Sequence, residues 1–159
     1  MASECKYSFL EAKQKLEALC AYQERCSFEL EKKMMQWHVD AENRSILLAH
    51  LIENNFLNEE RFAEAFVSGK INIKKWGRHK ITRELKSKRI SDYSIRKGLE
   101  SIDPDVYWNN LKHLTSKKLD GLANEKDAFK KKMKLFRFLS SKGYETDLIH
   151  DVYDSVISE

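Results

Sequence analysis

Apolar residues recur at three- and four-residue intervals along most of the chain, with polar residues between them. "FLEAKQKLEALCAY" brings Phe9, Leu16, Leu19 and Cys20 towards one face, and "FELEKKMMQW" does so with Leu30, Met34 and Trp37. "RHKITRELKSKR" uses Ile81 and Leu85, and "SDYSIRKGLESI" uses Ile95, Leu99 and Ile102. That period belongs to helices with one buried edge. Start signals fall in step with it: Asn58 precedes "EERFAEAF", Ser91-Asp92 precedes "YSIRKGL", and Pro104 opens "DVYWNNLKHL". Gly69, Gly77 and Gly143 lie between periodic segments, where the chain reverses most easily.

The pattern also repeats at long range. Leu30, Met34, Val39, Leu48 and Leu51 stand 51 residues before Ile81, Leu85, Ile90, Leu99 and Ile102. A further shift of 54 brings those five to Leu135, Leu139, Tyr144, Tyr153 and Val156. Each set describes a helix, a turn with an apolar plug and a second helix, and a preceding helix (8–22, 58–69 and 104–119) completes it. The expected fold is all-α: an elongated, curved array of three tandem three-helix repeats, covering 1–56, 57–103 and 104–159. Arg44, at the place of Ile95 and Ile149, breaks the pattern, as terminal units of arrays often do.

Composition agrees with helices. Pro104 is the sole proline among 159 residues and only five are glycine, too few turn formers for a sandwich or barrel. No run of about 18 apolar residues is present, so no membrane span is expected, and "MASECKYSFLEAK" lacks the basic patch and apolar core of a signal peptide. Cys5, Cys20 and Cys26, an odd set without C-x-x-C spacing, fit a reducing compartment, and the expected location is cytoplasmic.

Net charge is +4, but unevenly placed. Residues 1–61 hold 8 bases and 11 acids, residues 62–142 hold 21 and 9, and residues 143–159 hold no bases and 5 acids. The second repeat is therefore basic, and the third is basic with an acidic C-terminal helix. A basic middle between acidic ends points to a polyanionic partner.

"FLNEERFAEAFVSGKINIKKWGRHKITRELKSKRISDYSIRKGLESI" resembles the central pattern of the bacterial RecX regulatory proteins. That pattern runs Leu-Asp-Asp/Glu, then Arg-Phe-Ala, then Gly-x-x-x-Ile-x-x-Glu-Leu-x-x-Lys-Gly-Ile. Here its places are Leu57 to Glu59, Arg61-Phe62-Ala63, and Gly77, Ile81, Glu84-Leu85 and Lys88-Arg89-Ile90. "CAYQERCSFELEKKM" and "KLFRFLSSKGYETDLI" look like the family too, so the likeness covers nearly the whole chain. Asn58 replaces the usual Asp and can cap a helix equally well, whereas Arg89 replaces the usual Gly and costs the turn its easiest left-handed residue. The resemblance implies a protein that binds the RecA recombinase filament on single-stranded DNA and restrains its ATP hydrolysis, strand exchange and growth.

The residues themselves supply a candidate contact surface. "GKINIKKWGRHKITRELKSKR", residues 69–89, holds nine Lys or Arg and one acid, Glu84. On a helix from Arg78, Ile81 and Leu85 share one side and Lys80, Arg83 and Lys86 lie broadly opposite, with Lys74, Lys75 and Arg78 at the entrance and Arg89 at the exit. "KKKMKLFR" occupies the equivalent helix of the third repeat and supplies Lys130, Lys131, Lys132, Lys134 and Arg137, with Lys134 aligned to Lys80. Basic residues on the same helix of two successive repeats would form one stripe for filament or DNA. Trp76, flanked by Lys75 and Gly77, is the candidate for stacking on a base, against packing as the commoner role. Phe62, Phe66, Phe129, Phe136 and Phe138 read as core.

Nothing points to catalysis. The five histidines show no H-E-x-x-H spacing, and no zinc-type cluster, phosphate loop or nucleophile elbow is present. A non-enzyme without cofactor or metal, acting as a monomer away from membranes, is the expectation. The rival classes are a general helical nucleic-acid-binding protein and an adaptor for an acidic protein, neither involving a recombinase filament.

Overall fold

The computed structural model describes residues 4–159. Its helices fall in threes: α1 (Phe9–Tyr22), α2 (Ser27–Gln36) and α3 (Ala41–Glu53); α4 (Glu59–Gly69), α5 (Arg78–Ser87) and α6 (Asp92–Glu100); α7 (Pro104–Gly121), α8 (Ala128–Ser141) and α9 (Thr146–Ile157). A single turn of π-helix, Lys70–Lys74, separates α4 from α5. The N-termini carry the caps expected of them. Ser8 forms a reciprocal capping box with Glu11, Asn58 accepts from the Arg61 N–H, Ser91 from the Ser94 N–H, and Pro104 occupies the first turn of α7.

The same turn joins the second and third helix of each unit. The residue after the helix cap is left-handed in all three, His38 (φ 60°), Arg89 (φ 60°) and Gly143 (φ 96°). In each, the next amide donates five residues back, Val39 to Met34, Ile90 to Leu85 and Tyr144 to Leu139. This is the Schellman arrangement, and the apolar residue that follows the left-handed one plugs the bundle. Those plugs, Val39, Ile90 and Tyr144, are all buried. Arg44, which breaks the apolar register, stays half-buried and donates from Nη1 to the Val39 carbonyl at 2.7 Å, so the odd residue braces the plug.

Two apolar cores result. One lies within the first unit and includes Leu16, Leu30, Met34, Trp37, Leu47 and Leu51. The other runs without a break through the second and third units, from Phe62 and Leu85 to Leu111, Leu139 and Val152, and reaches Cys26 of the first. The molecule exposes 10068 Å², against about 8,300 Å² for a compact monomer of this mass. That excess is the mark of an elongated array.

Three sequence expectations need correction. Phe9 is 45% exposed and Phe129 71% exposed. Both sit in a first helical turn that overhangs its bundle, since residues 8–11 and 127–130 are all exposed. Gly69 reverses nothing: at φ −63° and ψ −42° it passes the helix into the π turn, and the break comes at Lys75, left-handed at φ 55°.

Candidate nucleic-acid interface

The start of α5 is where the second unit meets the third. Gly77 has no side chain to cap the helix. Its N–H donates to the Lys142 carbonyl at 2.7 Å, and the His79 N–H donates to the Gly143 carbonyl at 2.9 Å. A Cβ on Gly77 would lie closer than 3.0 Å to the backbone of Gly143 and Tyr144, and one on Gly143 equally close to Lys80. Only two glycines allow this approach.

Side chains complete the joint. The Arg78 N–H donates to Tyr107 Oη at 2.9 Å, Tyr107 Oη donates to Glu145, and the Arg78 guanidinium pairs with Glu145 at 2.7 Å. Tyr144 Oη donates to the Lys75 carbonyl at 2.7 Å. Burial, and then the hydrogen bond to Glu145, push the Tyr107 phenol far above its ordinary value. Burial does the same to Tyr144. Both tyrosines are therefore neutral donors over the ordinary pH range.

This joint ties the end of α8 to the start of α5, so the two lysine-rich helices meet at their ends. On α5, Ile81 and Leu85 are buried and Arg83 and Lys86 are exposed. On α8, Leu135 and Leu139 are buried and Lys130, Lys134 and Arg137 are exposed at intervals that share a face. Arg137 occupies the register of Arg83, and Lys134 that of Lys80. Among the described residues, Arg83, Lys86, Lys130, Lys131 and Arg137 pair with no carboxylate.

Most of the other candidates are partly committed. Arg78 is spent on Glu145, with its guanidinium 4.0 Å from the Tyr107 ring centroid. Lys134 pairs with Glu125 at 2.6 Å, and that hydrogen bond draws the Glu125 carboxyl below its usual range. Lys132 lies over Phe136 and Tyr153, and Arg89 over Phe28 of the first unit. Lys74 is exposed and Lys75 half-buried. Trp76 packs against the shared core with Lys70 Nζ 4.7 Å and Lys80 Nζ 4.4 Å from its ring centroid. A base stacking there would have to displace a lysine from the ring.

Comparison with known proteins resolves the family. The RecX second three-helix domain matches residues 58–99, and the RecX third three-helix domain matches residues 105–153. The chain belongs to the RecX family. It is 30% identical to a regulatory protein RecX of Chlorobaculum tepidum over 82% of this chain and 79% of that protein. It is 38% identical to one from Clostridium botulinum (strain Eklund 17B / Type B) over 68% of this chain and 50% of that protein. The chain thus spans about half the length of the Clostridium botulinum relatives it matches. The crystal structure of RecX from Lactobacillus salivarius superposes with a TM-score of 0.81, at 20% identity, over 95% of this chain and 97% of that one. These relatives are named as regulatory proteins, and among the described residues no helix is long and apolar enough to cross a membrane.

Some residues of the basic surface escaped the sequence reading. Lys70 reaches Trp76 only because the π turn folds the chain back, and Lys142 brings its carbonyl to Gly77 and its ammonium to 5.5 Å from the Phe138 ring. The one sequence signal for Lys142 was its place beside Gly143, the residue needed left-handed. Cys20 and Cys26 are buried, and burial pushes both thiols up, away from reactivity.

Proposed function

We propose that this chain docks on a RecA recombinase filament assembled on single-stranded DNA and restrains its ATP hydrolysis and recombinase activity. It acts as a cytoplasmic monomer of three units (1–56, 57–103 and 104–159), with no catalysis of its own. The observation that supports this reading best is the set of unpaired, exposed bases on α5 and α8, two helices tied end to end by backbone hydrogen bonds. A phosphate backbone is met by point charges at fixed spacing, and two helices locked in register supply that without reordering the backbone on binding. Lys74, Lys75, Lys80 and Arg89 border the surface, while Arg78, Lys132 and Lys134 serve chiefly to hold its shape. Occupying several protomers and the strand together opposes the conformational cycling that ATP turnover and subunit addition require.

The test is ATP hydrolysis by a preformed RecA–single-strand filament, titrated with the protein at fixed moderate salt, with cosedimentation read from the same samples. Hydrolysis should fall as the protein enters the pellet. The triple variant Arg83→Glu, Lys86→Glu, Arg137→Glu should need at least about tenfold more protein for the same effect, because each lost phosphate contact also removes about 0.7 from the log–log salt slope. Equal inhibition by that variant would take α5 and α8 out of the interface. Pelleting with naked DNA at unchanged hydrolysis would leave only a phosphate binder.

A further inference from the structure

The π turn between α4 and α5 does more than connect them. Ile73 is 76% exposed, more than any other large aliphatic side chain among the described residues. Its neighbours Asn72 and Lys74 are polar and exposed, so water gives no reason for an isoleucine at the tip. The turn is also held rigidly. Ile71 is buried, and its carbonyl accepts from Asn110 Nδ2 at 2.8 Å. The Lys75 and Trp76 amides both donate to the Lys70 carbonyl, and Tyr144 Oη holds the Lys75 carbonyl. Lys75 is kept left-handed by these bonds, a conformation that a side chain disfavours and that surrounding structure must enforce. Lys75 ends the π turn in the left-handed state that His38 and Arg89 adopt after their helices, and the bonds on either side of Ile73 hold the tip in one place before any contact.

The charges around the tip select its partner. No acid occurs from residue 69 to residue 83; Lys74 and Lys75 follow the tip directly, and the Lys70 and Lys80 ammonium groups lie over Trp76 at the end of the turn. On the Asn72 side a small groove is lined by Glu64 and Asp103, so a polyanion approaches from the side of Lys74 and Lys75. An apolar tip flanked by lysines matches a nucleic-acid strand, whose phosphates take the charges while its base faces take the hydrocarbon. A rigid aliphatic side chain pushed between adjacent bases is an established way to unstack them.

We propose that Ile73 is a wedge that enters between two neighbouring bases of a single strand held by Lys74 and the lysines around it. The inference rests on the reading that the basic surface meets nucleic acid, and it adds the point at which the strand is deformed. Bases pried apart there would leave that segment of strand out of register for a recombinase.

The experiment uses the full chain and a single-stranded oligonucleotide with one 2-aminopurine, at moderate salt. Binding of the parent protein should raise 2-aminopurine fluorescence as its base is unstacked. Ile73→Ala should bind about 3- to 10-fold more weakly, lose most of the rise and keep the salt slope, because it removes base contact and no charge. Its melting temperature should not change, since the side chain is mostly in water. Lys74→Ala should behave oppositely, with a shallower salt slope and the rise retained. Unchanged affinity and fluorescence in Ile73→Ala overturn the wedge and leave the basic surface intact. Failure of the parent protein to bind the strand overturns the wedge, while the hydrolysis titration on the filament decides the filament reading separately. Weakening of Ile73→Ala only on a recombinase filament, with the strand signal unmoved, assigns the tip to a protein partner and overturns the wedge.

Discussion

Gly77→Ala is the substitution for which the geometry gives the clearest sign. Gly77 has φ −84° and ψ 166°, which alanine adopts freely, so the backbone alone predicts a small effect. The added methyl, however, meets the Gly143 carbonyl and the Tyr144 nitrogen closer than 3.0 Å. These are backbone atoms buried in a turn, and they cannot swing aside as a side-chain tip can. The second and third units must separate at this point. Separation breaks the Gly77 to Lys142 and His79 to Gly143 hydrogen bonds, each contributing about 0.5–1.5 kcal/mol. It also loosens the Tyr107, Arg78 and Glu145 set, where a charged partner makes the bond worth about 1.5–3 kcal/mol. The expected loss is about 3–5 kcal/mol, or a melting temperature lower by about 6–20 °C for a chain of this size. Far-UV circular dichroism during heating reads it. Gly69→Ala is the internal control: Gly69 is helical with nothing near its would-be Cβ, so it should gain about 0.5–1 kcal/mol from helix propensity and lower unfolded-state entropy. If Gly77→Ala melts at or above the parent temperature, the close approach of the two turns is wrong.

Two other outcomes follow from the same turns. At position 89 glycine should exceed alanine by about 1 kcal/mol, because both lose the guanidinium over Phe28 but only glycine relaxes the left-handed backbone; equal stability of Arg89→Gly and Arg89→Ala by denaturant titration would deny the strain. Alkaline pH should loosen the joint: the folded-state values of Tyr107 and Tyr144 are raised above 10.0, so their contribution is complete below that pH and is lost as pH climbs past it. Lys88 adds to this in the same direction, because the Glu29 hydrogen bond and charge together outweigh burial and hold its ammonium above 10.5. Melting temperatures between about pH 9 and 11 should fall less steeply in Tyr107→Phe than in the parent, and parallel curves would remove the phenol from the account.

The fold was legible because burial is periodic. The fifteen repeat positions from Leu30 to Val156 are buried or half-buried, since a helix that packs on one side must keep its apolar residues at that spacing. The shared turn was harder to see. Only Gly143 advertises a left-handed residue, while His38 and Arg89 do the same work with side chains that disfavour it. The π turn was not legible at all. Gly69 reads as a stop, and what carries the chain past it is Asn110 and Tyr144, both distant in sequence. The basic surface was legible as composition but not as a set of free charges. Arg78 is neutralised by Glu145, 67 residues away, and Lys134 by Glu125 across a loop. Charge counting finds such lysines and arginines equally well whether or not a partner has already claimed them.

The two joints of the array are built differently, and the difference bears on binding. Between the second and third units, backbone meets backbone at two glycines and an apolar core runs through. Between the first and second units, a cleft of about 560 Å³ stays open. That cleft is bridged by Arg61 to Glu24 at 2.9 Å and Lys88 to Glu29 at 2.7 Å. These pairs are about as exposed as Arg78 to Glu145 and weaken with salt as it does; what the first joint lacks is backbone packed on backbone, its apolar seam being Cys26 and Phe28 against the core of the second unit. A surface that reads phosphates at set intervals needs its two helices immobile before contact, because any motion frozen on binding is subtracted from affinity. On the proposed reading, that demand falls between α8 and α5, where the joint is closed by backbone contacts. The first unit, whose own helices carry few bases, meets the second through ion pairs and a short apolar seam, away from the junction of the two charged helices.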